Sequence, residues 1–114
     1  QMAGGLVIRQ SAADLLSNSK EGVSCQDVVS TYGVFQRADV LHVYDEKGVE
    51  LARGMSNFSS NETALIAARP NERAEDLLGY KASGRLINAN NLVMLEEHHL
   101  NWEEPEESRQ VSDI

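Results

Sequence analysis

Short apolar clusters parted by turn-forming residues run along this chain, and helical spacing is kept only briefly. Val40-Leu41-His42-Val43-Tyr44 is rich in β-branched and aromatic side chains and predicts a strand. Asp45-Glu46-Lys47-Gly48 then predicts a turn returning the chain into Val49-Glu50-Leu51-Ala52, a hairpin. Val28-Val29, Leu86-Ile87 and Leu92-Val93-Met94-Leu95 are further strand candidates, the last two separated by the turn-prone Asn88-Ala89-Asn90-Asn91. Val34 to Asp39 reads as a connector.

Three short helices fit between these. Ser11 can cap the first, with Ala12, Ala13, Leu15 and Leu16 as its apolar face, until Asn18 and Gly22 end it. Ser59 and Glu62 stand at capping-box spacing before a second, over Asn61 to Ala68, which must stop near Arg69 because Pro70 disfavours helical backbone in its predecessor. The third has Asn71 as N-cap, Glu72 in its first turn, Ala74, Leu77 and Leu78 on its buried edge, and Gly79 beyond its end. The richest stretch is Glu50 to Glu62, where a strand is expected to stop on Gly54 and hand over to the capped helix.

Five or six short strands with three short helices predict a mainly β fold, a small mixed-strand barrel whose closure protects strand edges. Gly4-Gly5-Leu6-Val7-Ile8 opens abruptly, as in a piece cut from a longer chain, and Gly4-Gly5 is expected at an unstructured end. Residues 1–95 form the expected domain, and residues 96–114 an acidic tail.

The 114 residues suffice for one small core, which must be aliphatic because aromatics make up only 5%. The formal charge of −8 is uneven: from Glu96 onward seven acidic residues face Arg109 alone, leaving a body of only −2. A nearly neutral body permits nucleic-acid binding without indicating it. One cysteine, Cys25, excludes an internal disulfide, and with no long apolar run the expectation is a cytoplasmic protein free of membrane contact.

Candidate chemistry is sparse. His98-His99 near Glu103 suggests a metal, but adjacent histidines seldom converge on one ion and no completing ligand follows, so none is expected. Trp102 is better placed as an anchor for the tail, His42 as a half-exposed sheet residue, and Cys25 as an unreactive thiol lacking any activating partner. Phosphoryl transfer needs a glycine-rich phosphate cradle with cationic groups, and no Gly-Lys-Ser element occurs, so the chain is not expected to be catalytic. Arg53 can meet a ligand phosphate or a neighbouring domain, or pair with a local carboxylate. Arg9, Lys20 and Arg37 join it as a patch only if the fold gathers them.

Three separated runs carry a resemblance. Phe35-x-Arg37-x-Asp39-Val40, Gly48-x-Glu50-Leu51-Ala52-Arg53-Gly54-x-Ser56-Asn57-Phe58-Ser59-Ser60 and Leu77-Leu78-Gly79-Tyr80 resemble, in order and spacing, the C-terminal PUA domain of bacterial glutamate 5-kinases, over roughly residues 4–95. The resemblance implies a PUA-like pseudo-barrel standing behind an N-terminal amino-acid-kinase domain of the same chain. That kinase, with ATP and Mg²⁺, would phosphorylate the side-chain carboxylate of L-glutamate in proline biosynthesis. The domain itself would hold no cofactor and act as an accessory or regulatory module, and Arg9, Lys20, Arg37 and Arg53 are the candidates for an interdomain or nucleic-acid contact. The alternative is an RNA-binding module, as other PUA domains are. Three departures bear on this. Asp27 replaces a usual glycine and is expected to repel phosphate, Asn88-Ala89-Asn90 stands where a cationic run is common, and Ala38 replaces a turn glycine.

Overall fold

The computed structural model describes residues 3–18, 21–82 and 85–95. Its centre is a mixed five-stranded sheet built from β1 (Gly4–Ile8), β3 (Val28–Tyr32), β4 (Val40–Tyr44), β5 (Glu50–Met55) and β7 (Leu92–Met94) in the order β3-β1-β4-β5-β7. Only β1 and β4 run parallel; the other pairs are antiparallel. A second, two-stranded sheet pairs β2 (Val23–Ser24) with β6 (Arg85–Ile87). The helices α1 (Gln10–Leu16), α2 (Ser60–Ala68) and α3 (Ala74–Leu78) are short.

Gly4-Gly5 is therefore not a loose end. β1 lies between β3 and β4, and the close quarters explain its glycines: a Cβ on Gly5 would come within 2.5 Å of the Tyr32 hydroxyl oxygen and 2.7 Å of the His42 carbonyl oxygen. β5 likewise does not stop at Gly54 but runs through it to Met55. There a Cβ would meet the Ile87 Cγ2 at 2.6 Å and the Asn91 carbonyl at 3.0 Å, so Gly54 serves close packing of β5 on β6.

Alternation in β4 and β5 sorts the side chains. Leu41, Val43 and Ala52 face a core with Leu6, Ile8, Phe35, Phe58, Ile66, Leu86 and Ile87, each side chain larger than alanine contributing roughly 1.5–3 kcal/mol by leaving water. Val40, His42, Arg53 and Met55 face outward.

Helix α2 begins as its capping box predicts: the Ser59 hydroxyl accepts from the Glu62 N–H and the Glu62 carboxylate accepts from the Ser59 N–H. It ends at Arg69, ahead of Pro70. Two other starts differ from expectation. α1 is entered through Arg9, not Ser11, and α3 through Arg73, not Asn71, neither with a side-chain cap. Glu72 instead pairs with Arg69 across the turn at 3.3 Å. Gly79 does close α3 in the left-handed region, at φ 80°. The extra strand β2 escapes a pattern reading because two residues carry no periodicity.

Candidate functional site

The three runs that carry the resemblance meet in space. From the connector, the Arg37 guanidinium donates to Glu62 Oε1 at 3.3 Å and Oε2 at 2.8 Å, and its carbon lies 4.6 Å from the centre of the Tyr80 ring. Tyr80 donates its hydroxyl to the same Glu62 Oε2 at 2.7 Å. Hydrogen bonding from Arg37, opposed by partial burial and helped by the Ser59 N–H and Tyr80, holds the Glu62 carboxyl down at about 2. The latch joins the β3–β4 connection, the start of α2 and the segment after α3.

Behind the latch, Ser56 to Ser60 forms a knot of backbone bonds. Ala38 N–H donates to the Ser56 carbonyl at 2.7 Å, Ser56 N–H to the Asp39 carbonyl at 2.9 Å, and Ser60 N–H to the Phe35 carbonyl at 2.9 Å. Asn57 reaches β6, its N–H to the Leu86 carbonyl at 2.8 Å and its side-chain amide to the Arg85 carbonyl at 3.1 Å. Ser56 is buried, its hydroxyl donating to the Phe58 carbonyl at 2.5 Å. These polar groups satisfy buried backbone, which is a structural reason for each. The Ala38 turn survives its missing glycine, but at φ 74° for a residue with a Cβ.

A second cluster lies on the outer face of the sheet. The hairpin register sets His42 opposite Arg53, and Glu50 bridges them: its Oε2 lies 2.5 Å from His42 Nδ1 and 2.9 Å from Arg53 Nε. Partial burial raises the Glu50 carboxyl, yet bonds from Arg53 and His42 outweigh it and leave it below the ordinary range. Tyr44 continues the row, its ring 5.9 Å from both His42 and Tyr32. Burial pushes the Tyr32 hydroxyl above its usual range, and a bond with Tyr44 adds to that.

The three candidate cations among the described residues are each bonded to a different partner. Arg9 donates to the Gln26 carbonyl at 2.8 Å, Arg37 is held by Glu62 and Arg53 by Glu50, while Lys20 lies outside the described residues. Asp27 has a role the sequence comparison did not suggest. Its carboxylate accepts from the Ser24 N–H at 3.0 Å, completing a capping box on a 3-10 turn over Cys25–Asp27. The spacing of Ser24 and Asp27 carried that signal. Glu50 could have been found from the hairpin register, whereas Glu62 and Tyr80, 25 and 43 residues from Arg37, gave no local sign. Cys25 is buried, and burial with the nearby Asp27 charge pushes its thiol up to about 12. His98, His99 and Trp102 lie outside the described residues. Among the described residues no cluster of histidine, cysteine and carboxylates could hold a metal ion, and no helix is long and apolar enough to cross a membrane.

The PUA domain family model matches residues 4–78, from the first residue of β1 to the last of α3. This chain belongs to the PUA domain family. Among curated proteins it is similar to the glutamate 5-kinase of Methylibium petroleiphilum, 38% identical over 94 residues, which are 82% of this chain and 25% of that one. Glutamate 5-kinases of Burkholderia mallei and Burkholderia pseudomallei are 39% identical over 95 residues, 83% of this chain and 26% of theirs. The chain thus spans about a quarter of the length of these relatives. Among solved structures, a PUA domain from Aeropyrum pernix K1 superposes with a TM-score of 0.58 at 22% identity, covering 75% of this chain and 41% of that one. That likeness supports the PUA fold, with its mixed sheet, small second sheet and short helices.

Proposed function

We propose that this PUA domain is a noncatalytic accessory module of a glutamate 5-kinase, acting on the kinase domain of its own chain through contact between the two. The observation that carries this reading is the extent of the similarity: identity of 38–39% runs through four fifths of this chain, yet accounts for only a quarter of each kinase. Phosphoryl transfer from ATP and Mg²⁺ to the glutamate carboxylate, the first step toward proline, then belongs to the other three quarters. Residues 1–95 are the module in this reading, and 96–114 an appended acidic segment.

Among the described residues, the candidate cations offer RNA no gathered surface: Arg9, Arg37 and Arg53 each meet a different partner within the module, a backbone carbonyl and two carboxylates, and Asp27 caps a turn. Incubated with ATP, Mg²⁺, glutamate and hydroxylamine, this chain should form no hydroxamate above buffer; turnover would overturn the noncatalytic assignment. In a kinase-bearing chain, removing the module should change the kinase's response to substrate or product, and identical kinetics with and without it would refute the accessory role. Structured RNA titrated at low salt provides the contrary outcome: salt-sensitive binding at micromolar protein would favour an RNA-binding module.

A further inference from the structure

The outward positions of β4, β5 and β7 mix the polar His42, Glu50 and Arg53 with an apolar set, where a solvent-facing sheet usually carries polar residues. Val40 stands directly opposite Met55, and Arg53 stands opposite Val93. These apolar side chains are 41%, 40% and 67% exposed and lie on adjoining rungs, so they form one patch and not scattered singles. Arg53 sits in its middle. Glu50 takes its Nε at 2.9 Å and one Nη at 3.4 Å, and the guanidinium fork has further N–H donors to offer. Methionine and arginine in an apolar frame, without lysine, is the composition of an interface core.

We propose that this face, Val40, Met55 and Val93 around Arg53, is where the module docks on the kinase domain of its own chain, against apolar side chains with a carboxylate that completes the Arg53 fork. The inference rests on the accessory-module reading above. The relatives place three quarters of their length outside the matched region, so the occupant is covalently attached and present at high effective concentration. A second copy is the poorer occupant, since it lacks that covalent attachment and binds only at its free concentration.

Two methionines make the test internal. Met55 faces the patch, whereas Met94, opposite the core-facing Ala52, lies on the other side of the sheet at a similar exposure of 36%. Dilute peroxide followed by mass spectrometry should oxidise both at comparable rates in the isolated module. In the kinase-bearing chain, Met55 should slow about five-fold or more while Met94 keeps its rate. Val93→Glu in that chain should return Met55 to the isolated rate, with an unchanged melting temperature of the isolated variant showing that the module still folds. Equal Met55 rates in the two contexts overturn the docking face, as does protection that grows with the concentration of the isolated module. If Met55 is unprotected while removal of the module still alters kinase kinetics, the docking face falls and the accessory reading stands. If the natural chain carries no kinase domain, both fall.

Discussion

Tyr32 lies over Gly5, and the absence of a side chain at Gly5 is what lets it: a Cβ there would stand 2.6 Å from Tyr32 Cζ. The pairing Gly5 to Tyr32 between β1 and β3 puts the ring on the outer face, where it reaches Tyr44. Gly5→Ala should therefore destabilise the domain by about 1–3 kcal/mol, the usual cost of overfilling a packed site. Tyr32→Ala should relieve part of that cost, and a double-mutant cycle in urea should show a coupling near 1 kcal/mol. The His42 carbonyl at 2.7 Å sets the part that remains. Additive effects would show that the ring simply moves aside.

Ala38 holds a left-handed backbone conformation at φ 74°, in a turn fixed by Ala38 N–H on the Ser56 carbonyl and Gln36 N–H on the Asp39 carboxylate at 2.7 Å. A Cβ in that region costs roughly 1–2 kcal/mol, of which glycine's extra freedom in the unfolded chain takes back about 0.4–1. Ala38→Gly should thus stabilise the domain by about 0.5–1 kcal/mol, seen as a higher urea midpoint at unchanged slope. A lower midpoint would mean that the alanine methyl contributes packing that outweighs its strain.

The features legible in the sequence are those with local causes. The hairpin from Val40 to Ala52, the capping box of Ser59 and Glu62, and the stop before Pro70 each depend on residues a few positions apart, and each is in place. Gly4-Gly5 was misplaced because the reason for those glycines is Tyr32, brought alongside only by the sheet. The resemblance identified the family through the runs around Arg37, Gly54 and Tyr80, yet it could not say that Arg37, Glu62 and Tyr80 are one latch. Asp27, expected to repel phosphate, is also a turn cap, and that role was legible in its spacing from Ser24 three residues away.

Cys25 offers a clean readout of global opening. It is fully buried, and with its thiol pushed up to about 12 the reactive thiolate is scarce at pH 8. Iodoacetamide at that pH should leave the native domain unmodified while labelling it promptly in denaturing urea. Fast labelling of the native protein would place Cys25 in a segment that opens locally, separate from the core it shares with Val23 and Ile87.

The acid limb of stability should belong largely to Glu62. Its carboxyl is held at about 2 in the folded domain, against roughly 4.3 in an unfolded chain. A carboxyl depressed by folding contributes stability that is complete above the unfolded value and is lost as pH falls through the folded one. The window is therefore about pH 5 down to 2, and the unfolded chain binds the extra proton throughout it. Glu62→Gln keeps an acceptor for the Ser59 N–H, so the capping box survives, but gives up the charge that Arg37 and Tyr80 address. The variant should be less stable than wild type at pH 7, and the gap should narrow on acidification until the two converge near pH 2. Some acid limb should remain in the variant, because Glu50, held low by Arg53 and His42, titrates with the same sign. Urea midpoints measured from pH 7 to pH 2 decide it, and a gap that stays constant across that range would show that Glu62 acts through its shape and not its charge.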